Sequence, residues 1–506
     1  MNKRKVPDKK FLFFSIIIVV IAAIPRSIEL ISGNYLFGFD QGLFFQAVKQ
    51  IVVEKNFTLI GAEVGGRGGF FQGPGWYYLL SIPFILTKGD PYGAMVLMWM
   101  LGLLTIIFSL VLVKKMFSSK EALVVSFFLA ISPEVITQSR FIWPPFPISF
   151  LTVLSLFFIF QVLQKKQYFL PLTTFAIGMM VHFEVATMGT FFLQFLIMSP
   201  ILLIKRLVSF RFLILSVITF LFALSPLIIF DLRNEFMITN GALRLVSGTD
   251  TPHDITQVYV AHMFKNHLDV FKYNFLSTFQ LSNLLWPFVL FLLIFGSIIY
   301  LRDKEKQLPQ KLFILYLLLS PVILFAIFML YLWPMWDWWI LELHIIYIFL
   351  FGIVSVYLWK KLPWRLVILG IFFAFSLSFV NLTIGFYKHD LNDYGGTHKI
   401  KGKIDALDYI YKDAKGERFG LLVFTPPVYT YAYDYLIWWH GERKYNYQPY
   451  KDKKGTFYLL MEVDPQKPWS YKGWLETVIK TGTILETKEL PSGFIIQKRY
   501  AKESKI

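Results

Sequence analysis

The chain has 506 residues, 56% of them hydrophobic and 16% charged, with a mean hydropathy of +0.55. Long apolar runs recur from Phe11 to Phe386, which excludes an ordinary soluble domain and predicts a polytopic α-helical membrane protein. The net charge is +17 and there is no cysteine, so disulfides, thiolate metal sites and a Cys nucleophile are excluded. The positive charge is not a nucleic-acid footprint, because Lys and Arg gather in short loops between apolar runs.

In chain order, "MNKRKVPDKK" and the apolar run after it read as an uncleaved signal anchor, with a first span over 11–31. A long loop, 32–90, follows. It holds "NYLFGFDQGLFF", in which Asp40 stands alone among aromatic and apolar residues. Asp40 reads either as a helix cap or as a functional carboxylate at the membrane edge. Next comes "GAEVGGRGGFFQGPGWYYLL", with seven glycines between Gly61 and Gly75 that let backbone approach a ligand or a second segment closely. The run "PGWYYLLSIPFIL", Pro74 to Leu86, is too short to cross comfortably and reads as interfacial or re-entrant.

Ten further spans are expected over 92–113, 121–138, 146–164, 168–183, 185–204, 211–230, 283–301, 311–333, 339–359 and 364–386, which makes about eleven in all. With the amino terminus inside, the inner segments hold 20 of the 50 Lys/Arg and four of the 33 Asp/Glu. That asymmetry is the orientation signal of a cytoplasmic face. It places the tail, 387–506, outside a membrane body of residues 1–386. The tail reads as a soluble α/β domain. "FGLLVFT", "TFYLLMEV", "TILETKEL" and "GFIIQKRY" are strands, Lys401–Lys412 and Tyr471–Lys480 are helices, and "LPSG" is a hairpin turn.

The same topology gathers polar residues on the outer side: Asp40, Ser139 and Arg140, His182 and Glu184, Asp231 and Arg233, and Asp337 in "WPMWDWW", followed by Glu342 and His344. Convergence of ionisable groups at one membrane face points to a site. Each has a plainer alternative: lipid-headgroup contact for Arg140, turn residues for His182 and Glu184, a helix-end ion pair for Asp231 and Arg233. The Trp cluster could be an aromatic belt, and Glu342 and His344 satisfied interhelical groups. The chain has no P-loop, HExxH or GxSxG motif.

The order of these features resembles the GT-C glycosyltransferases, in particular the relatives of protein O-mannosyltransferases and of the lipid A aminoarabinose transferase. The residues that carry the resemblance are Arg26, Asp40, Gly73–Leu80, Ser132–Pro133, Ser139–Arg140, Gly178–His182 and Phe230–Arg233. It covers residues 11 to about 240, and the later spans by topology only. The resemblance implies a transferase that moves a hexosyl or pentosyl unit, with inversion, from a polyprenyl-phosphate sugar at the outer face of the cytoplasmic membrane. The acceptor would be a protein, a glycolipid or a polysaccharide. It implies Asp40 as catalytic base and Arg140 as the cation for the donor phosphate. Gln41, Gln72, Trp76, Tyr77, Tyr78, His182, Glu184 and Asp231 become candidate substrate contacts. A divalent ion, with Asp40, His182 and Glu184 as candidate ligands, also belongs to that pattern. The chain departs from it at Gln41 and Gln72, where relatives carry an acid and a His or Lys, and in lacking an acid after "SR". The competing classes are a flippase or transporter of lipid-linked sugars, and an envelope polysaccharide polymerase or ligase. A transporter's polar residues would lie at the bilayer midplane on related halves, and neither feature is visible.

Overall fold

The computed structural model describes residues 8–64, 69–247, 257–280, 285–331, 333–396, 398–426 and 429–502. Helix α1, Lys9–Arg26, starts at an Asp8 side chain that accepts from the Phe11 N–H at 3.3 Å. A break at Ser27 separates it from α2, Ile28–Ser32, which ends at Gly33 in the left-handed region. The loop helices are α3, Phe39–Val52, and α4, Gly75–Leu86. The bundle continues with α5, Tyr92–Met116, and α6, Ser119–Ile131. Ser132 and Pro133 then turn the chain into α7, Pro133–Thr137. After it come α8, Ile148–Leu163, α9, Phe169–Met179, α10, Val185–Ile204, and α11, Phe210–Arg233. Next are α12, Met237–Ser247, α13, Gln257–Phe279, α14, Trp286–Arg302, and α15, Leu308–Phe328. Helices α16, Glu342–Trp359, and α17, Leu362–Asp390, complete the bundle.

The eleven expected spans fall on helices, except that 11–31 is broken at Ser27 into α1 and α2 and 121–138 at Ser132 into α6 and α7. Six helices among the described residues are long and apolar enough to cross a membrane by length and composition, and several of the others are shorter apolar helices. Pro74–Leu86 is one of the short ones, a single twelve-residue helix. Two helices of the bundle, α12 and α13, carry no apolar signature of a span. The second carries charged or polar residues on nearly every turn, which dilutes its hydropathy. Its buried residues Met263, His267, Phe271 and Phe275 recur at four-residue spacing and pack it on the bundle.

Helix α16 is the central pillar: 89% of its apolar window is buried, against 11% for Trp364–Asp390 in α17 and 17% for α11. A helix apolar all round is stable only when neighbours cover every face, whereas the sparsely covered α11 and α17 present theirs to lipid.

In the tail, α18, Ile400–Asp413, precedes β1, Gly420–Phe424, then α19, Tyr431–His440, β2, Gly455–Met461, β3, Thr483–Glu489, and β4, Ile495–Ala501. The sheet order is β1-β2-β4-β3, with β1 parallel to β2 and the other pairs antiparallel. The four expected strands and the "LPSG" turn are all present; Gly493 takes a φ of +79° there. The expected Tyr471–Lys480 helix is a short α-turn over Ser470–Trp474 continued by a wider turn to Ile479. Helix α19 was not foreseen. It fastens the tail to the bundle's loop by packing on α3, where Gly42 faces the Ala432 backbone. A Cβ on Gly42 would lie 2.2 Å from the Ala432 nitrogen, so only glycine allows the approach.

Candidate functional site

The stretch from Asn34 to Phe45 is built from both halves of the chain. Phe37 N–H donates to the His398 carbonyl at 2.8 Å and Ile400 N–H to the Tyr35 carbonyl at 2.9 Å. Asn34 adds bonds to the Asp393 carbonyl and the Lys401 N–H. Rings behind this ladder lock it: Phe37 lies 6.1 Å and Phe45 5.0 Å from Tyr435. Asp40 therefore rides on a rigid support.

Asp40 occupies the first turn of α3, half-buried. It is not the cap. That role falls to Gln41, whose Oε1 accepts from the Gly38 N–H at 2.9 Å while its Nε2 donates to the Ile142 carbonyl at 2.9 Å. Gln41 is buried with both ends of its amide engaged within the protein. The Asp40 carboxylate, by contrast, has no hydrogen-bond or ion-pair partner among the described residues. Burial alone raises its pKa above the ordinary carboxylate value.

Arg140 has the opposite setting. Its Nε lies 2.8 and 3.0 Å from the two Glu29 oxygens and its Nη2 2.5 Å from Glu29 Oε1. The same Nη2 binds Asp390, and the guanidinium lies 3.7 Å from the Phe386 ring centroid. Burial disfavours the cation, but Glu29 and Asp390 outweigh it and hold the charge in place. Expected as a phosphate ligand, Arg140 is already neutralised twice over; it ties the end of α7 to α2 and α17. Neighbouring Ser139 accepts from Arg26 Nε at 3.1 Å, and Arg26 also donates to the Ala22, Leu129 and Ala130 carbonyls, so it is a structural hub.

The Gly-Pro-Gly element is organised by His182. Gly75 N–H donates to His182 Nδ1 at 3.3 Å, and His182 Nε2 donates to the Ala223 carbonyl at 3.0 Å. Those partners fix the neutral tautomer with its proton on Nε2 and leave no ring nitrogen for a metal or sugar. A Cβ on Gly73 would fall 2.1 Å from His182 Nδ1. Gln72 joins a short ladder through its backbone, to Gly61 and Ala62. Trp76 is 1% exposed, edge-on to Phe44 at 6.1 Å, and Tyr77 is buried beside it. Both are core residues and not stacking platforms. Tyr78 donates to the Thr58 carbonyl at 2.8 Å.

The remaining candidates are local. Glu184 caps α10 by accepting from the Ala186 N–H at 3.2 Å, and it is buried. Asp231 accepts from Ile238 N–H at 2.7 Å, Thr239 N–H at 3.2 Å and the Thr239 hydroxyl at 2.5 Å, which caps α12. His344 is a satisfied interhelical group: Nδ1 is 2.7 Å from Thr278 Oγ1 and Nε2 3.1 Å from Asn274 Nδ2. Among the described residues, no three His, Asp or Glu side chains gather closely enough to hold a metal ion; Asp40, His182 and Glu184 do not form such a group. Nor does any hydrogen bond or ion pair among the described residues join Asp40, Arg140 and His182. Gly65, Gly66 and Gly68 lie outside the described residues.

Two features escaped sequence reasoning. Glu29 and Asp390 were not singled out, although Glu29 is the only acid between Asp8 and Asp40. Trp143 meets Trp338 edge-on at 5.2 Å, and Trp338 stacks on Trp336 at 4.9 Å. Since Gln41 binds the carbonyl just before Trp143, this indole cluster adjoins the start of α3.

Comparison with known proteins agrees with this architecture. The family model for dolichyl-phosphate-mannose-protein mannosyltransferases matches residues 72–230. That segment includes the Gly-Pro-Gly element, Ser139–Arg140 and His182, and begins after Asp40. The structure is similar to that of Cupriavidus metallidurans ArnT bound to undecaprenyl phosphate, with a TM-score of 0.60, 11% identity, and coverage of 97% of this chain and 98% of that one. Against the apo state of the same protein the TM-score is 0.58 at 12% identity, with the same coverage. The apo Archaeoglobus fulgidus oligosaccharyltransferase gives 0.50 at 13% identity, covering 99% of this chain and 75% of that one. No curated protein sequence matches the chain. The GT-C resemblance read from the sequence and the polytopic helical fold with a small α/β tail are thus both borne out.

Proposed function

We propose that the chain is a membrane glycosyltransferase that takes a sugar from a polyprenyl-phosphate carrier at the outer face of the cytoplasmic membrane, with Asp40 as the base. The observation that carries this reading is the state of Asp40: a desolvated carboxylate with no partner among the described residues, held on a pinned helix in a chain with the fold of ArnT. A carboxylate kept unpaired costs stability unless a ligand uses it. Here it takes the proton from an acceptor hydroxyl as that oxygen attacks the anomeric carbon and the lipid phosphate leaves. Attack opposite the leaving group gives inversion. A donor whose tail needs hydrocarbon and whose sugar needs water meets its base only at the rim, where a carboxylate beside the first membrane helix stands.

The clamped state of Arg140 changes its proposed role. It positions the segment after α7 against α2 and α17, and so acts through the frame around Asp40 and not on the phosphate directly. The acceptor is a hydroxyl-bearing molecule, and the tail, packed on the helix that carries Asp40, borders its approach.

The test is transfer from a polyprenyl-phosphate sugar by the full-length protein in lipid nanodiscs. Asp40→Asn should lower kcat by about 10²–10⁴-fold, the range for loss of a positioned base, with unchanged donor affinity and melting temperature. Wild-type turnover in Asp40→Asn ends the assignment.

A further inference from the structure

At the end of the bundle away from Asp40, a cavity of about 410 Å³ opens between α6, α16 and α17. Its walls are apolar, including Leu369 and Phe372, with Trp359 at the mouth. Two lysines stand at its rim: Lys120 in the first turn of α6 and Lys360 just after α16. Both are exposed and neither makes an ion pair among the described residues. The nearest acid in sequence, Glu121, binds the Ser118 hydroxyl. Deeper in the groove lies Ser355, 2% exposed, whose hydroxyl has no hydrogen-bond partner. A buried, unpaired hydroxyl in an apolar wall is unfavourable unless something supplies an acceptor.

We propose that this groove binds one anionic diacyl phospholipid. Its phosphate lies between Lys120 and Lys360, and an acyl chain runs along Leu369 and Phe372. The charge pattern selects that occupant. Two unpaired cations above an apolar slot match an anionic head on a hydrocarbon tail, and basic pockets between membrane helices recognise such headgroups. The spacing agrees: Ser355 is five residues before Lys360, about 7.5 Å along the helix at ~1.5 Å per residue. At that depth below the phosphate the lipid's ester carbonyls follow, and one of them accepts from the Ser355 hydroxyl. Helix α17, thinly covered by protein, is the wall that such a lipid would brace.

The experiment uses the full chain in vesicles of phosphatidylcholine with phosphatidylglycerol, extracted and examined by native mass spectrometry. Wild type should retain one phosphatidylglycerol in preference to phosphatidylcholine. The double variant Lys120→Gln/Lys360→Gln should bind it about thirtyfold more weakly, which is about 2 kcal/mol at ~1.4 kcal/mol per tenfold. Both lysines are exposed, so the variant keeps its fold, checked by an unchanged melting temperature in phosphatidylcholine alone. Leu369→Trp, which fills the slot without touching charge, should also remove the bound lipid. Undiminished retention in the double variant, equal retention of phosphatidylcholine, or displacement of the lipid by added polyprenyl phosphate would each overturn the proposal.

Discussion

Asp40, half-buried, and Arg140, with a side chain 8% exposed, stand at the same end of the bundle, yet their settings are opposite. Arg140 meets two carboxylates and an aromatic face. Asp40 meets no countercharge among the described residues. Burial makes a charge expensive in either case. For Arg140 the partners offset that cost and the group serves the fold; for Asp40 none does, which is the state the proposed base requires. The same contrast separates His182, with both nitrogens engaged, from Asp40.

The largest effect that can break this comparison comes from Arg140. Arg140→Gln leaves Glu29, 4% exposed, without its cation, while Asp390 keeps only Lys399 at 3.9 Å. Removing one member of a buried charge pair typically costs about 3–5 kcal/mol, and the loss should appear in urea or thermal unfolding of the purified protein. Adding Glu29→Gln should restore part of it. If Arg140→Gln instead keeps its stability and raises the donor KM, the arginine binds phosphate and the contrast with Asp40 is wrong.

A smaller effect sharpens the comparison by moving the support beneath Asp40. Gly42→Ala drives a methyl group into the Ala432 backbone, so α3 and α19 must part. Overpacking of this kind costs about 1–3 kcal/mol. The variant should show faster proteolysis within the tail and reduced transfer, whereas Ala432→Gly, which adds no atoms, should not. Equal protease resistance in Gly42→Ala would mean that the tail does not fix the site.

The difference between the two charges could not be read from the sequence, and the reason is physical. Spans declare themselves by length and composition, so eleven apolar runs became helices. Strands of the tail declare themselves by runs of branched and aromatic residues between turns. Partners do not: Glu29 and Asp390, far apart in sequence, both meet Arg140, and nothing in the local spacing of "SRFIWPP" says so. Trp76 and Gln41 have the composition of ligand contacts, but burial is decided by what packs over them, here Phe44 and the carbonyl of Ile142. Helix α13 was missed because polar residues lower its hydropathy. Its four-residue apolar spacing was the available signal.

The smallest effect is a shift in pH dependence, and it isolates Asp40 from every structural charge nearby. Burial raises the Asp40 pKa, so protonation is favoured in the folded chain relative to the unfolded one. The active form is the ionised one. As pH falls, kcat/KM should therefore drop at a higher pH than the ~3.9 of an unperturbed aspartate. The sign for stability is the reverse of that for a salt-bridged acid. With the folded pKa raised, ionisation above it costs folding energy, so Asp40→Asn should equal or slightly exceed wild type in stability at neutral pH and converge with it in acid. Arg140→Gln should depart in the opposite direction, below wild type at neutral pH, since it leaves buried Glu29 without its cation. A wild-type acid limb at or below ~3.9 would mean that Asp40 is solvated in the working enzyme, and its contrast with Arg140 would then reflect exposure and not function.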